Sequence, residues 1–163
     1  MFRWDLSKFS YPDPNQGAGI LVRFASEGEI GSAAEVWYEG LREEEGSPWE
    51  NYLKKWTPSS AARWFLDSKK RLGAKILVAE KEKIVGINGI ISERNSGKGR
   101  FFTGIAFSPN YRRQGIGSLL LHRTLLEMKR EGLRWAEVET IQGIPVAKYL
   151  YPKYGGESIQ VPA

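Results

Sequence analysis

From residue 20 onward the hydrophobic positions change period several times, and each change predicts a new element. Residues 20–24 form a short β-rich run, the first strand the pattern supports. Ser26, with Glu29 three residues on, carries the chemistry of a helix start. Ile30, Ala34, Trp37 and Leu41, at spacings of four, three and four, extend that helix to Glu45. Gly46-Ser47-Pro48 ends it, because proline cannot continue a helix. A less regular helical region covers 49–70, with a break predicted at Thr57-Pro58-Ser59-Ser60. The period then shortens to runs of apolar and β-branched residues at 74–79, 84–91 and 101–107. Short polar links at 81–83 and 93–99 make these three antiparallel neighbours. The clearest helix spans 115–131, with Gly117, Leu120, Leu121, Thr124, Leu125 and Met128 on one face and Gly132 as its stop. His122 falls about 130° from that face at 100° per residue, which predicts exposure. A strand at 135–141, a helix at 145–154 and a last strand at 158–161 complete the chain.

The order is strand, helix, helix, three strands, helix, strand, helix, strand. The unit 101–141 requires a parallel, right-handed crossover. The fold class is therefore α+β in three layers, a mixed and mostly antiparallel central sheet with helices on both faces. Residues 1–18, rich in aromatics, Pro and Gly, show neither period and read as an extension packed on a single domain of residues 19–163.

Composition narrows the chemistry. Of 163 residues, 41% are hydrophobic and 26% charged, as in ordinary globular proteins. Cysteine is absent and His122 is the single histidine. Disulfides, a thiol nucleophile and a multi-histidine metal site are therefore excluded, and no metal is expected. No stretch has the length of a signal h-region at residues 1–17 or of a membrane span anywhere, so a cytoplasmic protein without membrane attachment is expected. The formal charge of +5 suits a polyanionic ligand: a nucleotide, a phosphorylated cofactor or nucleic acid.

The segment FFTGIAFSPNYRRQGIGS, residues 101–118, narrows that choice. A strand ends at Phe107, Pro109 stops it, and Arg112, Arg113, Gly115 and Gly117 precede the strongest helix. The first N–H groups of a helix lack intrahelical acceptors and sit at the positive end of its dipole. Glycines permit close approach of a phosphate there, and arginines add charge-assisted contacts. A Walker loop does not fit, and a Rossmann fingerprint fails at Leu120, where its third glycine belongs.

Phe107, Pro109, Arg112, Gly115 and Gly117, at those spacings between strand and helix, resemble the acetyl-CoA-binding signature of the GNAT N-acetyltransferases. The order of elements over residues 20–159 resembles that family's as well. The resemblance implies the acyl-CoA N-acyltransferase fold and acetyl-CoA as acyl donor, with a primary amine of a small molecule or protein as acceptor. It assigns Arg112, Arg113, Gln114, Gly115, Ile116, Gly117 and Ser118 to the pyrophosphate, and the edge formed by Ile105, Ala106 and Phe107 to the pantetheine arm. It also implies direct attack of the amine on the thioester through an oxyanion-bearing intermediate, in a gap where the strand at 101–107 splays from that at 135–141.

Ala147, Leu150, Tyr151, Lys153 and Gly155 resemble the family's second signature, with departures at Ile144 and Gly156. This register makes Tyr151 the acid that protonates the leaving thiolate. A second register, through Gln142, offers Tyr149 instead. Glu139 is the candidate base, with Glu137 expected on the opposite face of its strand. Glu43-Glu44-Glu45 reads as a solvated helix end or an acceptor site, the tryptophans at 37, 49, 56 and 64 as core with one or two lining an acceptor pocket, and Lys69-Lys70-Arg71 as dipole compensation. Leu119 and Leu126 leave room for a further packing partner, a second copy of the chain included. A non-catalytic acyl-CoA-binding module stays open as the alternative, as does a basic nucleic-acid-binding domain, though nucleic acid is the less favoured partner.

Overall fold

The computed structural model describes the chain except residues 11–13, 15–18, 43–49, 112–113, 141–145 and 161–163; at 50, 146 and 147 it describes the backbone alone. The strands are β1 (Phe2–Asp5), β2 (Leu21–Phe24), β3 (Lys75–Lys81), β4 (Lys83–Glu93), β5 (Lys98–Phe101), β6 (Ala106–Phe107), β7 (Trp135–Val138) and β8 (Glu157–Ser158). The helices are α1 (Ile30–Arg42), α2 (Glu50–Leu53), α3 (Pro58–Leu72), α4 (Ile116–Arg130) and α5 (Tyr151–Lys153). The sheet order is β2-β3-β4-β5-β7-β1-β8, with β6 also on β4. Every pairing is antiparallel except that of β5 with β7. The expected mixed, mostly antiparallel sheet is therefore present, with one parallel crossover through α4.

Alternation along the strands divides the core in two. Ile76, Val78 and Ile87 pack beneath α1 and α3 with Trp37, Ala61 and Phe65. Leu77, Ala79 and Ile90 pack beneath α4 with Leu120, Leu121, Leu125 and Met128. The cap expected at Ser26 is present, and two further caps emerge at α3. Ser26 and Glu29 close a capping box before α1, Thr57 and Ser60 close another at α3, and Gly73 ends α3 at φ 67°. That last turn holds Lys69, Lys70 and Arg71, which oppose the dipole of the helix end.

Three expectations change. Part of the presumed extension is a strand inside the sheet, since β1 pairs with β7 on one side and β8 on the other. Trp4 stands on that strand, 2% exposed, with its indole N–H donating to the Tyr154 carbonyl at 3.1 Å. His122 is buried rather than exposed, because the segment after β1 covers a second side of α4. Phe9 lies 5.6 Å from its ring, and Lys129 Nζ donates to the Phe9 carbonyl at 2.7 Å. The strand predicted at 101–107 is divided: on β4, Asn88 and Gly89 face four residues, 102–105, between the registered pairs Ile90–Phe101 and Ile87–Ala106. This bulge carries the site.

Candidate active site

The bulge exists because two glycines allow it. A Cβ on Gly89 would lie 2.4 Å from the Phe102 ring and 2.8 Å from Thr103 Cγ2, so the bulged residues lie directly against the bare backbone of β4. Gly104 takes φ 70°, a conformation costly for other residues. Thr103 Oγ1 accepts from the Gly89 N–H at 2.7 Å and pins the bulge. Its effect is to remove Ile105 from the sheet ladder.

Beyond the bulge the two parallel strands part. Pairing of β5 with β7 stops at Arg100–Glu137. Past that point β6 stays on β4, and its other edge has no strand partner among the described residues. Tyr151 reaches the place where they diverge. Its ring is 1% exposed, held edge-on to Trp4 at 5.4 Å and near Phe2 at 5.6 Å. The Ile105 backbone N–H hydrogen-bonds its phenol oxygen. Burial pushes the phenol above the ordinary tyrosine range, and the Ile105 hydrogen bond offsets only part of that. Tyr149, the other candidate, is 65% exposed with Lys148 over its ring. Gly156 stands where the second signature has phenylalanine, and the reason is local: a Cβ there would lie 2.8 Å from the Trp4 indole, which fills that space.

The second part of the candidate site is the start of α4. Gly115 is its N-cap at φ 78°, with no side-chain cap, so the amides of Ile116, Gly117 and Ser118 start the helix without a capping acceptor. Open space surrounds Gly115, whereas Gly117 is glycine for a packing reason. A Cβ on Gly117 would lie 3.1 Å from Leu150 and 3.4 Å from Phe107. Gln114 accepts from Lys81 Nζ at 2.8 Å, which tethers the turn to β3. Arg112 and Arg113 lie outside the described residues, as do Glu43-Glu44-Glu45, Trp49, Gln142 and Ile144. Leu126 packs on the α4 core.

On the α1–α3 face a cavity of about 450 Å³ opens beside the bulge, lined among others by Trp37, Tyr52, Trp64, Phe102, Glu137 and Glu139. Glu137, expected on the opposite face, shares the cavity with Glu139, since residues two apart on a strand point the same way. Glu137 is 7% exposed, and its Oε1 accepts from Arg3 at 2.6 Å with Lys98 at 3.7 Å. Glu139 is exposed. Trp56 and Trp64 are half-buried in an aromatic cluster around the buried Trp37. The signal for Glu137 lay in the two-residue spacing itself.

An eight-stranded mixed sheet, bulged and splayed at its one parallel pair with an uncapped helix start beyond, defines an acyl-CoA N-acyltransferase fold. Residues 36–155 match the model of the acetyltransferase (GNAT) family, and the chain belongs to that family. No curated protein sequence matches it. Among solved structures it resembles a Thermoplasma acidophilum PaiA N-acetyltransferase in complex with coenzyme A (19% identity, TM-score 0.66, 83% of this chain and 88% of that one). It also resembles a putative acetyltransferase from Salmonella typhimurium with its cofactor acetyl-CoA (17%, 0.64, 84% and 79%). A third likeness is the Escherichia coli ribosomal-protein-S18-alanine N-acetyltransferase (16%, 0.64, 83% and 76%). At these identities the likeness is one of fold.

Proposed function

We propose that the protein transfers an acetyl group from acetyl-CoA to the primary amine of an acceptor. The observation that carries this reading is the meeting of the Tyr151 phenol with the Ile105 N–H at the divergence of β5 and β7. The residues present fit the donor. The uncapped amides of Ile116, Gly117 and Ser118 suit its pyrophosphate, with Gln114 and Gly115 directly before them and the charges of Arg112 and Arg113 just upstream in the sequence. The unpaired edge of Ile105, Ala106 and Phe107 suits its amide-bearing arm. Acetyl-CoA supplies an activated thioester carbonyl.

The chain's own residues then have three tasks. Glu139 accepts a proton from the acceptor ammonium, so that a neutral amine attacks the carbonyl carbon directly. The Ile105 N–H, freed from the phenol, donates to the carbonyl oxygen as charge collects there. Tyr151 donates a hydrogen bond to the sulfur as the carbon–sulfur bond breaks. Full proton transfer from that phenol is uphill: an ordinary phenol near 10 against a thiol near 8.5 differs by about 2 kcal/mol, and burial raises the phenol further. Hydrogen-bond donation, with the departing ammonium proton completing the thiol, avoids that cost.

The test is thermal unfolding with and without acetyl-CoA, with ADP and duplex DNA as comparisons, followed by thiol release with added amines. Ligand at 100 times its Kd stabilises by about 2.7 kcal/mol. A rise in Tm with acetyl-CoA and amine-dependent thiol release support the reading. A rise with DNA alone sinks it, and a rise with acetyl-CoA but no thiol release from any amine leaves a binding module.

A further inference from the structure

Resting on that reading, we propose that the acceptor is a small primary monoamine carried on a flat aromatic group, an arylalkylamine. The cavity beside the bulge, at about 450 Å³, falls in the range of small-molecule sites. Its two ends differ in chemistry. One wall is aromatic, with Trp64 meeting Phe102 at 5.2 Å and 86° and Trp37 at 5.5 Å and 63°, while Tyr52 stands at the rim, 40% exposed. The Trp37 indole N–H is committed to the Thr103 carbonyl at 3.1 Å, so the buried ring of that wall offers a ligand only its apolar surface. Edge and face contacts with these rings favour a second flat ring.

The other end holds the charge. Glu137 is matched by Arg3 and Lys98, and Arg100 is matched by Glu93 at 2.6 Å. Glu139 has no ion-pair partner among the described residues, so one uncompensated carboxylate faces the cavity. Beside it Thr140 lines the same end, and its buried hydroxyl has no hydrogen-bond partner among the described residues. One negative charge and one free hydroxyl match one ammonium group. The acidic end lies at the end of β7 and just past it, and the bulge residues Thr103 and Gly104, next to Ile105, line the same cavity, so an amine held by Glu139 is placed toward the bulge while its ring lies on the tryptophans. An amino sugar would press several hydroxyls against a wall built of ring faces and edges, where the buried Trp37 offers them no hydrogen bond. A polyamine would bring a second cation, and among the described residues the cavity offers it no second free carboxylate.

The experiment compares 2-phenylethylamine, butylamine, spermidine and an alanine-first hexapeptide as acceptors, by thiol release from acetyl-CoA. Expected is a kcat/KM for phenylethylamine at least tenfold above each of the others. In Tyr52→Ala and Trp64→Ala the ratio of phenylethylamine to butylamine should fall toward one. If Trp64→Ala does not fold, the partly exposed Tyr52 variant carries the comparison. Acetylation with no preference for phenylethylamine, or a preference for spermidine or the peptide, overturns this proposal and leaves acetyl transfer standing. If acetyl-CoA binds but no amine is acetylated, acetyl transfer falls. Saturation-transfer NMR on the CoA-loaded protein then decides the cavity: tighter binding of phenylethylamine than butylamine supports the assignment, and equal binding overturns it.

Discussion

Tyr151→Phe keeps the ring among Trp4, Phe2 and Phe101 and removes one oxygen. Two consequences separate cleanly. The Ile105 N–H, in a residue 4% exposed, loses its partner, and an unsatisfied buried donor costs about 1–3 kcal/mol. For a chain of this size each kcal/mol lowers Tm by about 2–4 °C, so Tm should fall by roughly 2–12 °C. In catalysis the variant loses a donor that acts only as the sulfur departs, so kcat should fall about 10²-fold or more with little change in the KM for acetyl-CoA. Thiol release followed from pH 6 to 10 is the assay. Burial keeps the wild-type phenol protonated throughout that range, so the wild type should show no descending limb from this group. A descending limb between pH 8 and 9 that disappears in Tyr151→Phe would refute the burial-raised phenol, and a variant with unchanged kcat would refute the assignment of the donor.

Gly40→Ala would place a Cβ 2.8 Å from the Phe107 carbonyl oxygen, forcing α1 off β6. Overpacking of this kind costs about 1–3 kcal/mol, and the KM for acetyl-CoA should rise as the β6 edge shifts, both read by Tm and steady-state kinetics. Gly117→Val drives side-chain atoms into Leu150 and Phe107, so chemical denaturation should show lower stability even without any ligand. Asp5 is held at about 2 by the hydrogen bonds from Arg134, and Glu29 at about 2 by those from Arg23. Both are depressed in the folded state, so their contribution is present above pH about 4 and lost as pH falls toward 2. Asp5→Asn with Glu29→Gln should flatten the fall of Tm over that window, and an unchanged slope would show that these pairs do not stabilise.

Local grammar made much of this fold readable. The long runs that became β3 and β4 sit between turn residues, α4 has a continuous apolar face, the Ser26–Glu29 capping box lies where the spacing put it, and the break read at 57–60 is the start of α3. What escaped depends on residues far apart in the chain. β1 is only FRWD, two turns of an alternation too brief to stand out among prolines and glycines, and it is a strand because β7 and β8 flank it. His122 was read from its own helix alone, whereas Phe9 decides its burial. The bulge at 102–105 hides in a run of β-compatible residues, and only Gly104 hints that the ladder breaks. At the site, the glycine turn before α4 and the position of Tyr151 were legible as motif, and their roles belong to the proposed function. The aromatic cavity was not, because its walls come from α1, α2, α3, the bulge and β7.

The place of β1 has a consequence for how the molecule is made. Phe2 pairs with Val138 and Asp5 with Trp135, so β1 meets this neighbour only across more than a hundred residues of chain. Such closures carry a loop entropy that local helices avoid, and sheets built on them form late. Until β7 is available, Phe2 and Trp4 have no sheet to join, and neither does the aromatic seat of Tyr151 exist. The aromatic seat of Tyr151 therefore closes late in folding, and the still uncovered Phe2 and Trp4 rings are sticky for as long as β7 is missing.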